Sequence, residues 1–188
     1  MHTRTITLSL TILSLALASL ACDLSVGGPT PPASPIPVST EAAGQLLTVW
    51  EDAVRTADGG QVSVTITEEQ ITSYLNFKLL EQTDPPLRDV QVFLRDGKIQ
   101  IYGTAKAGSV STTALISIAV AVTQEGQLKF TVDKADFGPV PVPATLLEGI
   151  SSALNEAFTG QVGTYASGIT IVSAAIADGK MAIVGKLK

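Results

Sequence analysis

Histidine is all but missing from this chain. Of 188 residues only His2 carries an imidazole, and Cys22 is the only thiol. Everything after residue 22 therefore lacks an imidazole base and a soft metal ligand. That excludes zinc held by His or Cys, and it excludes Ser-His-Asp and Cys-His nucleophile chemistry. Charge is scarce as well, at 15% of residues, and 12 basic against 17 acidic side chains leave a net charge of −5 with no basic cluster. Without a basic stripe the chain has no electrostatic footprint for nucleic acid or for anionic lipid headgroups. It contains no Gly-x-x-x-x-Gly-Lys phosphate loop and no Gly-x-Ser-x-Gly nucleophile turn. The carboxylates read as structural: Glu68 and Glu69 serve a helix dipole, Asp96, Glu125 and Asp178 make turns, and Asp133 and Asp136 flank a strand end at the surface. No catalytic residue, metal or cofactor is assigned, and a non-enzymatic role is expected.

What is present begins with a leader. Arg4 is followed by an apolar run over residues 6–20 and then by Ala21 and Cys22, the layout of a secretory signal. Ser19-Leu20-Ala21-Cys22 resembles the lipobox of bacterial lipoproteins, with Ser19 standing where that family usually has leucine. The resemblance implies cleavage before Cys22 and acylation of its sulfur. Two acyl chains hold a protein on a bilayer where one barely does, since each buried methylene contributes roughly 0.8 kcal/mol. The alternative is an ordinary secreted chain with Cys22 left as a free thiol, a liability on an exported protein. Residues 23–38, "DLSVGGPTPPASPIPV", hold five of the ten prolines. They read as a semi-rigid spacer that, at about 3.1 Å per residue, lifts the domain a few tens of ångströms off the lipid. The expected plan is a signal peptide over 1–21, a lipidated Cys22 and tether over 22–38, and one domain over 39–188. The place is the extracytoplasmic side of the cell membrane, and the membrane is the partner through the acyl chains.

The 150 residues after the tether suffice for a single core. "STEAAGQLLTVWEDAVRTADGG" (39–60) spaces Leu46, Leu47, Trp50, Ala53 and Val54 as one face of a helix, and "QVSVTI" (61–66) alternates as a strand. Thr67-Glu68-Glu69-Gln70 is a capping box that opens a helix ending before Pro85-Pro86. An antiparallel meander follows, turning at Asp96-Gly97 and Glu125-Gly126, then a proline elbow at 139–143 and an amphipathic helix over 143–160. A last hairpin turns at Asp178-Gly179. The fold class is α+β, with a long, curved, mostly antiparallel sheet wrapped around amphipathic helices.

The stretch "ALISIAVAV" (114–122) is apolar on both faces. One carries Ala114, Ile116, Ile118, Val120 and Val122, the other Leu115, Ser117, Ala119 and Ala121. Either helices cover both sides of this strand, or the small residues leave room for an acyl chain. On the second reading Leu115, Ala119, Ala121, Phe130, Leu154 and Phe158 are the candidate ligand-lining residues, chosen by facing and size.

Taken together, Thr67-Glu-Glu-Gln-Ile-Thr-Ser-Tyr-Leu, the meander, "DFGPVPVPATLLEGISSALNEAF" and the closing "GI…DGKMAIVG" hairpin resemble small bacterial lipoproteins of the YceB-like kind. Those resemble a single module of the tubular lipid-binding (TULIP) superfamily. The resemblance covers residues 61–188 and implies a hydrophobic groove that holds a lipid or another apolar ligand without chemistry. The helix at 39–57 is additional to that pattern and is expected to be able to plug such a groove. The competing expectation is an envelope lipoprotein with a fully packed core that serves structure or binds protein partners, whose identity the sequence does not specify.

Overall fold

A computed structural model describes residues 24–25, 27–85, 87–107, 110–142, 144, 147–149, 151 and 168–188. Its elements in chain order are β1 (Leu24–Ser25), α1 (Thr40–Arg55), β2 (Gln61–Thr67), α2 (Glu68–Leu80), β3 (Leu87–Arg95), β4 (Lys98–Ala107), β5 (Val110–Val122), β6 (Leu128–Asp136), β7 (Ile169–Ala177) and β8 (Lys180–Leu187). The α+β reading holds, and every pairing among the described strands is antiparallel except β1 with β5. The strands divide between two sheets. Sheet A runs β1-β5-β4-β3 with β6 also on β5, and sheet B runs β2-β8-β7.

Local chemistry sets the turns. Asp96 and Gly97 take φ of 56° and 71°, and Asp178 and Gly179 take 49° and 76°. Two successive positive φ values make the two-residue hairpin turn whose twist matches its strands, and Asp-Gly tolerates it best. Ser39 caps α1 by accepting the Ala42 amide, and α2 carries the full capping box between Thr67 and Gln70. α1 buries Leu46, Trp50 and Ala53 and packs against α2 and β2. The Trp50 indole N–H is buried and has no hydrogen-bond partner among the described residues. α1 thus packs into the common core beside sheet B. Most of the predicted helix over 143–160 lies outside the described residues.

The face of α2 that meets β3 is polar, which its sequence conceals, while Ile71 of the same helix is buried in the core. Glu68 Oε1 accepts the Leu94 amide at 2.8 Å, Thr72 Oγ1 accepts the Val92 amide at 3.0 Å, and Asn76 Oδ1 accepts the Val90 amide at 3.1 Å. Asn76 also donates to the Val90 carbonyl at 2.7 Å. Side chains four apart on the helix thereby serve backbone groups two apart on β3. The match is metric: four helical residues rise about 6 Å, and two strand residues rise about 6.6–6.8 Å. α2 closes the β3 edge as a neighbouring strand would.

The tether is seated on the domain. Leu24 and Ser25 pair with Val110 and Ser111 at one edge of sheet A. At the other edge the Ile36 amide donates to Gln91 Oε1, and Gln91 Nε2 donates to the Ile36 carbonyl at 3.3 Å. The Ser39 amide then donates to Ser73 Oγ at 3.0 Å. The expected spacer is a strap, and its proline content serves an extended path with few backbone donors to satisfy.

Replacing Thr72 by valine keeps its shape and strands the buried Val92 amide. The cost expected is about 1–3 kcal/mol, against about 1 kcal/mol for Thr67→Ala at the exposed-side cap. Urea denaturation of the three proteins measures both.

Candidate functional site

The interior is unevenly closed. Ile99, Ile101, Ile116 and Ile118 of sheet A and Met181 and Ile183 of sheet B are 0–2% exposed. On the same inner faces, Val120 and Val122 of β5, Leu128, Val132 and Ala135 of β6, and Ala174 and Ile176 of β7 are only partly buried. Register fixes the facing. Val120 lies opposite Phe130, Val122 opposite Leu128 and Ile118 opposite Val132, while Ala174 lies opposite Ile183 and Ile176 opposite Met181. Directly opposed residues share a face of the sheet. A part-covered apolar strip therefore runs down the inner side of β6 and across to β7, where the sheets meet: β7 touches β5, and the Ile171 amide donates to the Gly126 carbonyl at 2.9 Å. The strip ends at the elbow after β6, where Phe137 is buried and Val140 and Val142 pack against the core.

The proposed lining residues fall into two groups. Phe130 is on the inner face at the strip and is 6% exposed. Leu115, Ala119 and Ala121 are on the outer face, with Ala119 opposite Thr131 and Ala121 opposite the exposed Lys129. The register thus parts Phe130 from the other three. Leu154 and Phe158 lie outside the described residues. Cys22 lies outside them too. Among the described residues, the outer face of β5 has Lys129, Thr131 and Lys98 as neighbours, and Lys98 donates to Asp133 at 2.6 Å. Residues Val120, Val122, Leu128, Val132, Ala174 and Ile176 were not among the sequence candidates. Their signal was the alternation of β6, whose Leu128, Phe130 and Val132 require the Val120 side of β5 to face inward.

Polar chemistry in the interior is committed to the backbone. Glu68, Thr72 and Asn76 form the α2–β3 ladder, and buried Thr112 donates to the Phe137 carbonyl at 3.2 Å and to the Gly27 carbonyl at 3.0 Å. No group of three metal-ligating side chains occurs among the described residues. An open cleft of about 600 Å³ at the end of α2 is lined by Val38, Leu79, Leu80, Pro85 and Arg88 among others. Its exposed Leu80 and Val38 give it an apolar rim.

The elbow has its own electrostatic brace. Asp136 Oδ1 accepts the Gly138 amide at 3.0 Å, and this bond, followed by the hydrogen bond from Lys134, holds the Asp136 carboxyl below the ordinary aspartate range. A lowered folded pKa gives stability that is complete above the unfolded value and is lost as pH falls through the folded one.

A family described as LmeA-like phospholipid-binding matches residues 33–186. No curated protein matches the chain. The family match begins within the strap.

Carbon-detected NMR titration of Asp136 should give a midpoint below the unperturbed value of about 3.9. The Gly138 amide shift should move with the same midpoint, and Asp136→Asn should abolish that movement.

Proposed function

We propose that this chain, which belongs to the LmeA-like phospholipid-binding family, holds phospholipid acyl chain along the strip between β6 and β7. The observation that carries this reading is the uneven burial. One end of a continuous apolar interior is fully packed, and the other is left part-covered on residues that face inward. Apolar surface in that state is available to a ligand at about 25 cal/mol per Å² removed from water. β6 has nine residues, a length of about 30 Å. One leaflet supplies about half of a hydrocarbon core some 30 Å thick, so the strip is long enough for an extended acyl chain.

In this reading the protein is an extracytoplasmic lipoprotein acylated at Cys22, and it binds lipid without transforming it. The same reading makes it a single tubular lipid-binding module of the YceB-like kind, and the two sheets with flanking helices support that reading. The packed-core alternative draws on the solid end of the interior around Trp50, Ile66 and Ile116, and predicts that no lipid enters.

Two tryptophan substitutions separate the faces. Ala174→Trp fills the strip and should weaken uptake of a fluorescent phospholipid by the delipidated protein at least tenfold, about 1.4 kcal/mol. Ala121→Trp, on the outer face, should leave uptake unchanged. Equal loss in both variants would return the site to the outer face, and no uptake by the unsubstituted protein would favour the packed core.

A further inference from the structure

The part-covered strip reaches the surface at the turns that end β3 and β7. Ile176 packs against the core while only partly buried, and it also lines a cleft of about 510 Å³ together with Arg95, Asp96 and Asp178. Two hairpin turns form the cleft, Asp96-Gly97 between β3 and β4 and Asp178-Gly179 between β7 and β8. They are held together by the Gly179 amide, which donates to the Leu94 carbonyl at 3.2 Å, and by the Glu68 amide, which donates to the Gly179 carbonyl at 3.1 Å. Ala174 follows Ile176 on the same face of β7, and Ile171 beyond it meets Gly126 in the β5–β6 turn. The five residues from Ile176 to Ile171 cover about 16 Å. An acyl chain laid along this part of the strip has one end at the cleft.

The cleft carries fixed charges of both signs. Arg95 Nε donates to Glu68 Oε1 at 3.4 Å, and the guanidinium carbon lies 5.3 Å from the centre of the Phe93 ring. An ion pair at one nitrogen and an aromatic face beneath hold the plane of the guanidinium. Its two terminal nitrogens have no partner among the described residues. Such a fork binds a phosphate through two parallel N–H···O bonds. Glu68 and Arg95 offset one another, which leaves Asp96 and Asp178. Among the described residues Asp178 has no side-chain partner, and Asp96 accepts from Gln100 Nε2 at 3.4 Å. Three lysines stand at the same end of the molecule, outside the cleft lining. Lys98 is engaged by Asp133, Lys180 lies opposite Ala177, and Lys129 lies opposite Ala121 on the outer face.

We infer that this cleft is the headgroup site of the strip, with Arg95 receiving the phosphate and Asp96 and Asp178 receiving the ammonium of a phosphoethanolamine headgroup. The inference rests on the lipid reading of the strip proposed above. A primary ammonium brings three N–H donors to the two carboxylates. A quaternary choline brings none and is recognised by an aromatic enclosure instead. The ring beside Arg95 is Phe93, and its face is taken by the guanidinium. A glycerol headgroup leaves its phosphate charge unbalanced beside two carboxylates. The expected order of affinity is ethanolamine, then choline, then glycerol.

The test measures uptake by the delipidated full chain of four probes that share one fluorescent acyl chain: phosphatidylethanolamine, phosphatidylcholine, phosphatidylglycerol and diacylglycerol. The unsubstituted protein should bind phosphatidylethanolamine several-fold more tightly than phosphatidylglycerol. Arg95→Gln should weaken all three phospholipids about tenfold and leave diacylglycerol unchanged, with Arg95→Lys between the two. Asp96→Asn combined with Asp178→Asn keeps both turns, since Asn-Gly suits the same two-residue hairpin, and should erase the preference for ethanolamine. Lys180→Gln should change nothing. Equal uptake of the three phospholipids by the unsubstituted protein, or undiminished uptake by Arg95→Gln, overturns the headgroup site and leaves the strip standing. An equal loss in Lys180→Gln and Arg95→Gln also overturns it, because the effect then belongs to the general field of this end. Loss of diacylglycerol as well in both Arg95 variants makes Arg95 a support of the fold and overturns its role as phosphate ligand. Uptake of none of the four probes by the unsubstituted protein overturns the lipid reading of the strip and the headgroup site with it.

Discussion

The fold depends on how β3 is finished at its outer edge. A strand at the edge of a sheet exposes alternate amides and carbonyls, and when that edge is buried each one left unpaired costs about 1–3 kcal/mol. Here α2 supplies the partners from Glu68, Thr72 and Asn76. The arrangement works because a helix repeat of four residues and a strand repeat of two are nearly equal in rise. It fixes α2 along β3 with one register, and the consequences spread from there. The Glu68 amide donates to Gly179, drawing the β7–β8 turn onto the end of sheet A. Ser73, one residue past the middle rung, accepts the Ser39 amide and so locates the start of α1. The two sheets and both helices meet through one polar ladder on an otherwise apolar wall.

With that wall closed, incomplete cover falls on the opposite side. β5 is shielded on both edges, by β4 along its length and by β6 and β1 in turn on the other side. β6 ends at Asp136, and the chain turns away at an elbow whose Val140 and Val142 still pack inward. The part-buried residues follow this line. Their position follows the topology: Ile99, Ile101, Ile116 and Ile118 lie on β4 and the middle of β5, whereas the part-buried residues lie on β6, β7 and the last residues of β5.

Elements governed by neighbours in sequence were legible before the structure. The capping box at Thr67, the Asp-Gly turns and the α1 face around Trp50 depend on spacings of two to four residues, and all appear as read. What depended on distant partners was not legible. Glu68 looks like a dipole-matching acid until Leu94 is placed beside it, and Thr72 and Asn76 look like solvent-facing residues until β3 arrives. Ala119 and Ala121 were chosen as a lining because small residues leave space, and register puts Thr131 and Lys129 across from them, on the face opposite Phe130. The proline-rich tether was read from composition alone, and composition carries no information about the β5 edge that receives it.

The interior divides stability from binding. The fully buried isoleucines, Trp50 and Met181 supply the cohesion of the fold, since core truncations of this kind cost about 2–5 kcal/mol each. Val120, Val132, Ala174 and Ile176 contribute less of that cohesion because water still reaches them. A domain can tolerate such surface only if its remaining core is sufficient, and the polar ladder with the packed helix wall makes it so. A ligand that covers the strip then adds its binding free energy to a fold already closed elsewhere.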